Sequence, residues 1–151
     1  MRKTIKNLGL LVMGAALMVS TLSCKEEGPD KDDIVRFEST INSNNTIPRS
    51  TSSAQGSAVL EYNKRTNTLS YNVTYQGITP TAAHIHSAKP AWETGPVEVP
   101  FANIGTSPIT GSTVLSQDQE NLLMLGNMYI NIHSAEYPAG EIRGQVLLVE
   151  F

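Results

Sequence analysis

Ser57-Ala58-Val59-Leu60-Glu61-Tyr62-Asn63-Lys64-Arg65-Thr66-Asn67-Thr68-Leu69-Ser70-Tyr71-Asn72-Val73-Thr74-Tyr75 is the stretch that decides the fold. In a β-strand successive side chains point to opposite faces. Leu69, Tyr71, Val73 and Tyr75 then share one face, and Ser70, Asn72 and Thr74 the other. Ser57 to Tyr62 has the same β character, and Asn63 to Asn67 supplies the turn between the two runs. The reading is an antiparallel hairpin in a sheet with one side more polar than the other.

The same periodicity continues on both sides of the hairpin. Ile34 to Ile41 alternates and directs Val35, Phe37 and Ile41 to a core. Asn42 to Gln55, rich in Asn, Ser and Thr and carrying Pro48, reads as a loop that is long for a compact domain. Downstream, Gly77 and Pro80 punctuate the chain before the strand Ala82-Ala83-His84-Ile85-His86. Val97 to Phe101 is a short strand that Pro100 assigns to an edge or a strand end. Ile109 to Leu115 is another, with Gly105 and Gly111 read as turns. Ser116 and Gln119 have capping-box spacing and open a short helix with Leu122, Leu123 and Leu125 as its apolar contacts; Gly126 ends it. Asn127 to His133 and Glu141 to Phe151 are the last strands, the final one losing strict alternation toward Val149 and Phe151. About seven or eight strands, one short helix and no βαβ rhythm predict an all-β fold, an antiparallel Greek-key sandwich or barrel over residues 34–151.

The amino terminus is of another kind. Arg2, Lys3 and Lys6 precede an apolar run from Leu8 to Val19, then Ser20-Thr21-Leu22-Ser23-Cys24. A basic start, a short apolar run and small residues describe a signal peptide over residues 1–23, the run being short for a membrane span. Cys24 is the only cysteine, so no internal disulfide is available. Its position resembles the lipobox cysteine of bacterial lipoproteins, which is acylated and becomes the new first residue, although Leu22 lies one place nearer to it than the usual leucine. Lys25-Glu26-Glu27 is similar to the signal that sends some Gram-negative lipoproteins to the outer cell face; the alternative is a solvated tether. Residues 24–33 have little to bury and read as flexible. The expected location is the cell envelope, as an outer-membrane lipoprotein held by lipid chains. Three of the 11 basic residues lie in the leader, which leaves 8 against 14 acidic residues and a net charge of −6. With no basic cluster, nucleic acid is excluded as a partner.

All three histidines fall in strands. His84 and His86 point one way and Ile85 the other; His133 shares a face with Asn131 and Tyr129, opposite Ile130 and Ile132. In the last strand Glu141, Arg143 and Gln145 share one face, and Ile142 and Val146 the other. A single polar face of His84, His86, Asn131, His133, Glu141, Arg143 and Gln145 follows if these strands are neighbours.

Thr81-Ala82-Ala83-His84-Ile85-His86, Gly95-Pro96-Val97, Tyr129-Ile130-Asn131-Ile132-His133 and Tyr137-Pro138-Ala139-Gly140-Glu141-Ile142-Arg143-Gly144-Gln145 resemble, in order and spacing, the CHRD domain, the module named after chordin. The resemblance runs from Phe37 to Val146. Ala139 departs from the glycine common there and leaves Gly140 as the positive-φ residue of the turn. The resemblance implies an all-β extracellular module; in animals such domains occur in a secreted growth-factor antagonist, and in bacteria in exported proteins of mostly undefined role. It implies no activity.

Two readings of the polar face stand. In one, His84, His86 and His133 ligate a single zinc or copper ion, with Glu141 or water as fourth ligand. The His-x-His strand is similar to the copper-binding strand of copper-zinc superoxide dismutases. The disulfide cysteines are missing, however, and the histidines are too few for a two-metal centre. In the other, the polar residues pin long connections over the sheet, with Arg143 paired to Glu141 or Glu136. Three histidines without a settled fourth ligand favour the second. Ser87 and Ser134 face away from the neighbouring histidines and lie in no nucleophile elbow, so a hydrolase has little support. Trp92 reads first as a cap on the core and second as a binding anchor. The expected function is a surface-anchored, non-enzymatic binding module for an extracellular protein or glycan; the alternative is a mononuclear metal protein.

Overall fold

The computed structural model describes residues 31–150; the expected signal peptide, Cys24 and most of the expected tether lie outside them. Among the described residues nine strands form one antiparallel sheet. They are β1 (Ile34–Asn42), β2 (Gln55–Asn63), β3 (Thr68–Gln76), β4 (Ala82–Ser87), β5 (Val97–Pro100), β6 (Ile109–Val114), β7 (Met128–His133), β8 (Ile142–Gln145) and β9 (Leu147–Glu150), with the helix α1 (Gln117–Met124) between β6 and β7. The spatial order is β5-β4-β7-β8-β1-β2-β3-β6, and β9 also pairs with β1. Long crossovers bring β7 beside β4 and β8 beside β1. The sheet curls until its ends approach: Phe101, just after β5, packs its ring 4.6 Å from that of Tyr71 on β3. The result is a nearly closed barrel.

The central hairpin pairs along its whole length, from Gln55 opposite Gln76 to Asn63 opposite Thr68. Asn67 takes φ 55 in its turn, a left-handed conformation that asparagine tolerates well. Alternation places Val35, Phe37, Ile41, Leu60, Leu69, Val73, Ile85, Ile130, Ile132 and Ile142 in one core, each fully buried. Such a side chain contributes about 1.5–3 kcal/mol by burial. Leu123 anchors α1 to this core, whereas Leu125 is exposed. The expected capping box at Ser116 and Gln119 is present, and Gly126 follows the helix with φ 68.

Several boundaries differ from the sequence reading. Asn42 and Gln55 are the paired ends of β1 and β2, so the loop between them is Ser43 to Ala54. Gly111 belongs to β6 opposite Tyr71, whose ring occupies the space a side chain would need. The expected last strand is two elements divided at Val146. β8 joins β7 to the end of β1, and β9 runs on along the first half of β1, with a bulge at Arg36 and Phe37. Val146 stays in the core, which is why alternation shifts beyond it and leaves Leu147 and Val149 outside.

Candidate functional site

The outer face of β4, β7 and β8 carries the polar residues. Register pairs His84 with Asn131, His86 with Tyr129 and Ala82 with His133. Asn131 in turn faces Arg143, and Tyr129 faces Gln145. Isoleucines at the intervening positions face the core. Three adjacent strands therefore put both histidine segments and the β8 side chains side by side.

The three imidazoles form a triangle. Ring centroids are 5.4 Å apart for His84 and His86, 5.3 Å for His84 and His133, and 6.1 Å for His86 and His133. The planes meet at 87°, 66° and 47°, so none of the three pairs is stacked. One ring nitrogen from each lies within 4.8 Å of the other two. Nδ1 of His86 is 3.0 Å from the Gly95 carbonyl oxygen, and Nδ1 of His133 is 3.0 Å from that of Pro138. A carbonyl only accepts, so these contacts place the proton on Nδ1 and the lone pair on Nε2. Nε2 of His86, Nε2 of His133 and Nδ1 of His84 are buried without a hydrogen-bond partner. Burial lowers the pKa of His84, with the charges of His133 and His86 acting the same way. Burial also lowers that of His86, opposed by the Gly95 carbonyl and reinforced by His133 and Arg143. Both rings are neutral at pH 7 on that basis.

Arg143 explains how this face is covered. Its side chain is buried, and its guanidinium donates to the carbonyls of Ala91 and Glu93, both at 2.8 Å. The guanidinium carbon lies 3.5 Å from the centre of the Tyr129 ring. His86 stacks on Tyr129 at 5.1 Å and 8°, and the Tyr129 hydroxyl accepts from the Gly95 amide. Arg143, Tyr129 and His86 together hold the loop from Ala88 to Pro96. The expected pairing of Arg143 with Glu141 or Glu136 does not form; two carbonyls and an aromatic face take its donors and charge instead. Burial lowers its pKa, with Tyr129 opposing.

The other polar residues pin neighbouring connections. Asn131 donates to the Ala139 carbonyl, while its Oδ1 is buried and unpartnered. Gly140, the expected positive-φ residue, has φ 130 and abuts the Asn131 side chain. Gln145 donates to the carbonyls of Gly126 and Met128. Glu141 is diverted from the histidines: its Oε1 accepts from Ser52 and its carbonyl from Ser50. These bonds fix the long Ser43–Ala54 loop across the face. Glu141 is not one of the residues whose ligand atoms converge with those of His84, His86 and His133.

Ser87 donates to Glu98 Oε1, and Ser134 accepts from the Tyr137 amide. Neither hydroxyl bonds to an imidazole. Trp92 is the main departure from expectation, being 75 % exposed rather than a cap on the core. It borders a cleft of ≈470 Å³ together with Asn44, Asn45, Ile47, Arg143 and Gln145. Its exposure was not readable from one aromatic in a loop. The neighbouring amides come from a distant part of the chain.

A family model described as the CHRD domain matches residues 37–146. No curated protein and no solved structure matches the chain.

Proposed function

The chain belongs to the CHRD domain family, and from that premise we propose that it is a non-enzymatic binding module held in the cell envelope through lipidated Cys24, with a glycan as its ligand. The observation that carries this reading is Trp92, exposed at the rim of a cleft whose other walls include amides and a guanidinium. Sugars combine apolar C–H faces, which stack on indole, with hydroxyls that pair with side-chain amides such as those of Asn44 and Asn45 in the cleft wall. The loop bearing Trp92 is tied from below by four hydrogen bonds, to Arg143, His86 and Tyr129. A platform ordered before binding loses less entropy when the ligand arrives.

Titration of the full chain with a panel of envelope and matrix glycans tests this reading. Binding should weaken by more than about tenfold in Trp92→Ala, an indole at a binding centre often being worth 2 kcal/mol or more. Equal affinity in the variant would remove the cleft from the account. Capture of a protein partner insensitive to Trp92 would point to another surface. The anchor is tested by fractionation, with Cys24→Ser expected to move the protein from the membrane to the soluble fraction.

A further inference from the structure

We propose that His84, His86 and His133 bind a single copper ion beneath the Trp92 loop. The proposal starts from three buried ring nitrogens without hydrogen-bond partners. They are Nδ1 of His84 and Nε2 of His86 and His133; for His86 and His133 the Nδ1 contacts leave the lone pair on Nε2. A buried polar atom left unpaired is costly, so each calls for a partner. They come from two neighbouring strands whose register is fixed. One nitrogen of each ring already lies within 4.8 Å of the others. A cation at their centre satisfies all three at once.

The required adjustment is small. Metal–nitrogen bonds of about 2.0–2.1 Å put three ligand nitrogens about 3.4–3.6 Å apart. Each nitrogen therefore moves inward by less than about 1 Å, within the reach of side-chain rotation. The mutual tilt of the rings lets their edges turn to one point. The outer hydrogen bonds are those of a ligating histidine: Nδ1–H of His86 and His133 each meets a backbone carbonyl, which fixes the tautomer and leaves Nε2 for the ion.

Charge selects the ion. The three donors are imidazole nitrogens, which bring no negative charge to an ion. Glu141, the carboxylate expected as fourth ligand, is engaged by Ser52. The Arg143 cation lies beyond Tyr129 from His86. A site without an anionic ligand and with a cation nearby holds a singly charged ion more easily than a doubly charged one. Cu⁺ accepts three nitrogen ligands. In the divalent state the general affinity order still places Cu²⁺ above Zn²⁺. Copper is thus favoured in both oxidation states, and a divalent ion would complete its shell with water or an exogenous anion. His86 is also the base of the His86–Tyr129–Arg143 stack, so an ion here would stiffen the loop that carries Trp92.

Full-length protein stripped with a chelator and titrated with copper or zinc, each alone, tests the site. The expected result is one copper per chain. Copper K-edge absorption should show three imidazole nitrogens near about 2.0 Å, and zinc should bind more weakly. His84→Ala and His133→Ala should each weaken copper by more than about 100-fold, since loss of outer-sphere partners alone costs 10–100-fold. Val114→Ala, exposed on β6 away from the cluster, should leave it unchanged. Circular dichroism identifies any variant that fails to fold, and His84→Gln then replaces it. No copper above that retained by a His84→Gln/His133→Gln variant would overturn the proposal. So would tighter zinc than copper, or an absorption spectrum without imidazole scattering.

Discussion

Arg143 rests its guanidinium 3.5 Å from the centre of the Tyr129 ring, and it is the only described residue whose side chain joins the sheet to both the Ala91 and Glu93 carbonyls. Lysine at this position would keep the charge but lose the planar fork. Arg143→Lys should lower stability by about 2–4 kcal/mol, from the cation–π contact and the charged hydrogen bonds. Urea unfolding measures that loss, and amide exchange at Ala91 to Gly95 should quicken with it. An unchanged midpoint with unchanged exchange would show that the stack does not hold the loop.

Glu141 provides a contrast. Its carboxylate belongs to the Ser52 contact, so Glu141→Gln should leave copper affinity within about threefold. Stability should fall by about 1–2 kcal/mol as a charged hydrogen bond becomes a neutral one. Copper binding and urea unfolding measured on one variant separate the two effects. Loss of copper without loss of stability would return Glu141 to the ligand set.

Tyr62 supplies a pH prediction away from the site. Burial, then the nearby charge of Glu120, push its phenol up to about 12, while its hydroxyl donates to Asn67 Oδ1. The unfolded phenol ionises near about 10. Between these values the folded chain holds the extra proton. The Tyr62 contribution to stability is therefore complete below about pH 10 and is lost as pH rises toward about 12. Ultraviolet titration should show tyrosinate still appearing toward about pH 12, and Tyr62→Phe should remove that last step, leaving the Tyr71 phenol, which burial also raises. Early ionisation of all five tyrosines in folded protein would contradict the burial assigned to it.

Strand parity made much of the site legible. Ile85, Ile130 and Ile132 dictate which way each sheet segment faces, so the histidines had to share the opposite side once β4 and β7 were neighbours. Pairing partners in long loops were not legible, because hydrogen bonds between distant segments leave no local pattern. Ser52 could not be matched to Glu141, nor Arg143 to the carbonyls of Ala91 and Glu93, from spacing alone. Trp92 escapes sequence reasoning for the same reason: core capping and cleft lining differ only in tertiary placement. The split of the last strand at Val146 was half legible, as a lapse in alternation without its cause.

Trp92 is the chain's only tryptophan, so its fluorescence reports on the cleft and on nothing else. Following its emission while glycans are titrated into the full chain is the most direct measurement of ligand binding. The account predicts a saturable shift to shorter wavelength with one class of glycan, as sugar replaces water over the exposed indole. Saturable glycan binding by calorimetry with no change in Trp92 emission would contradict it.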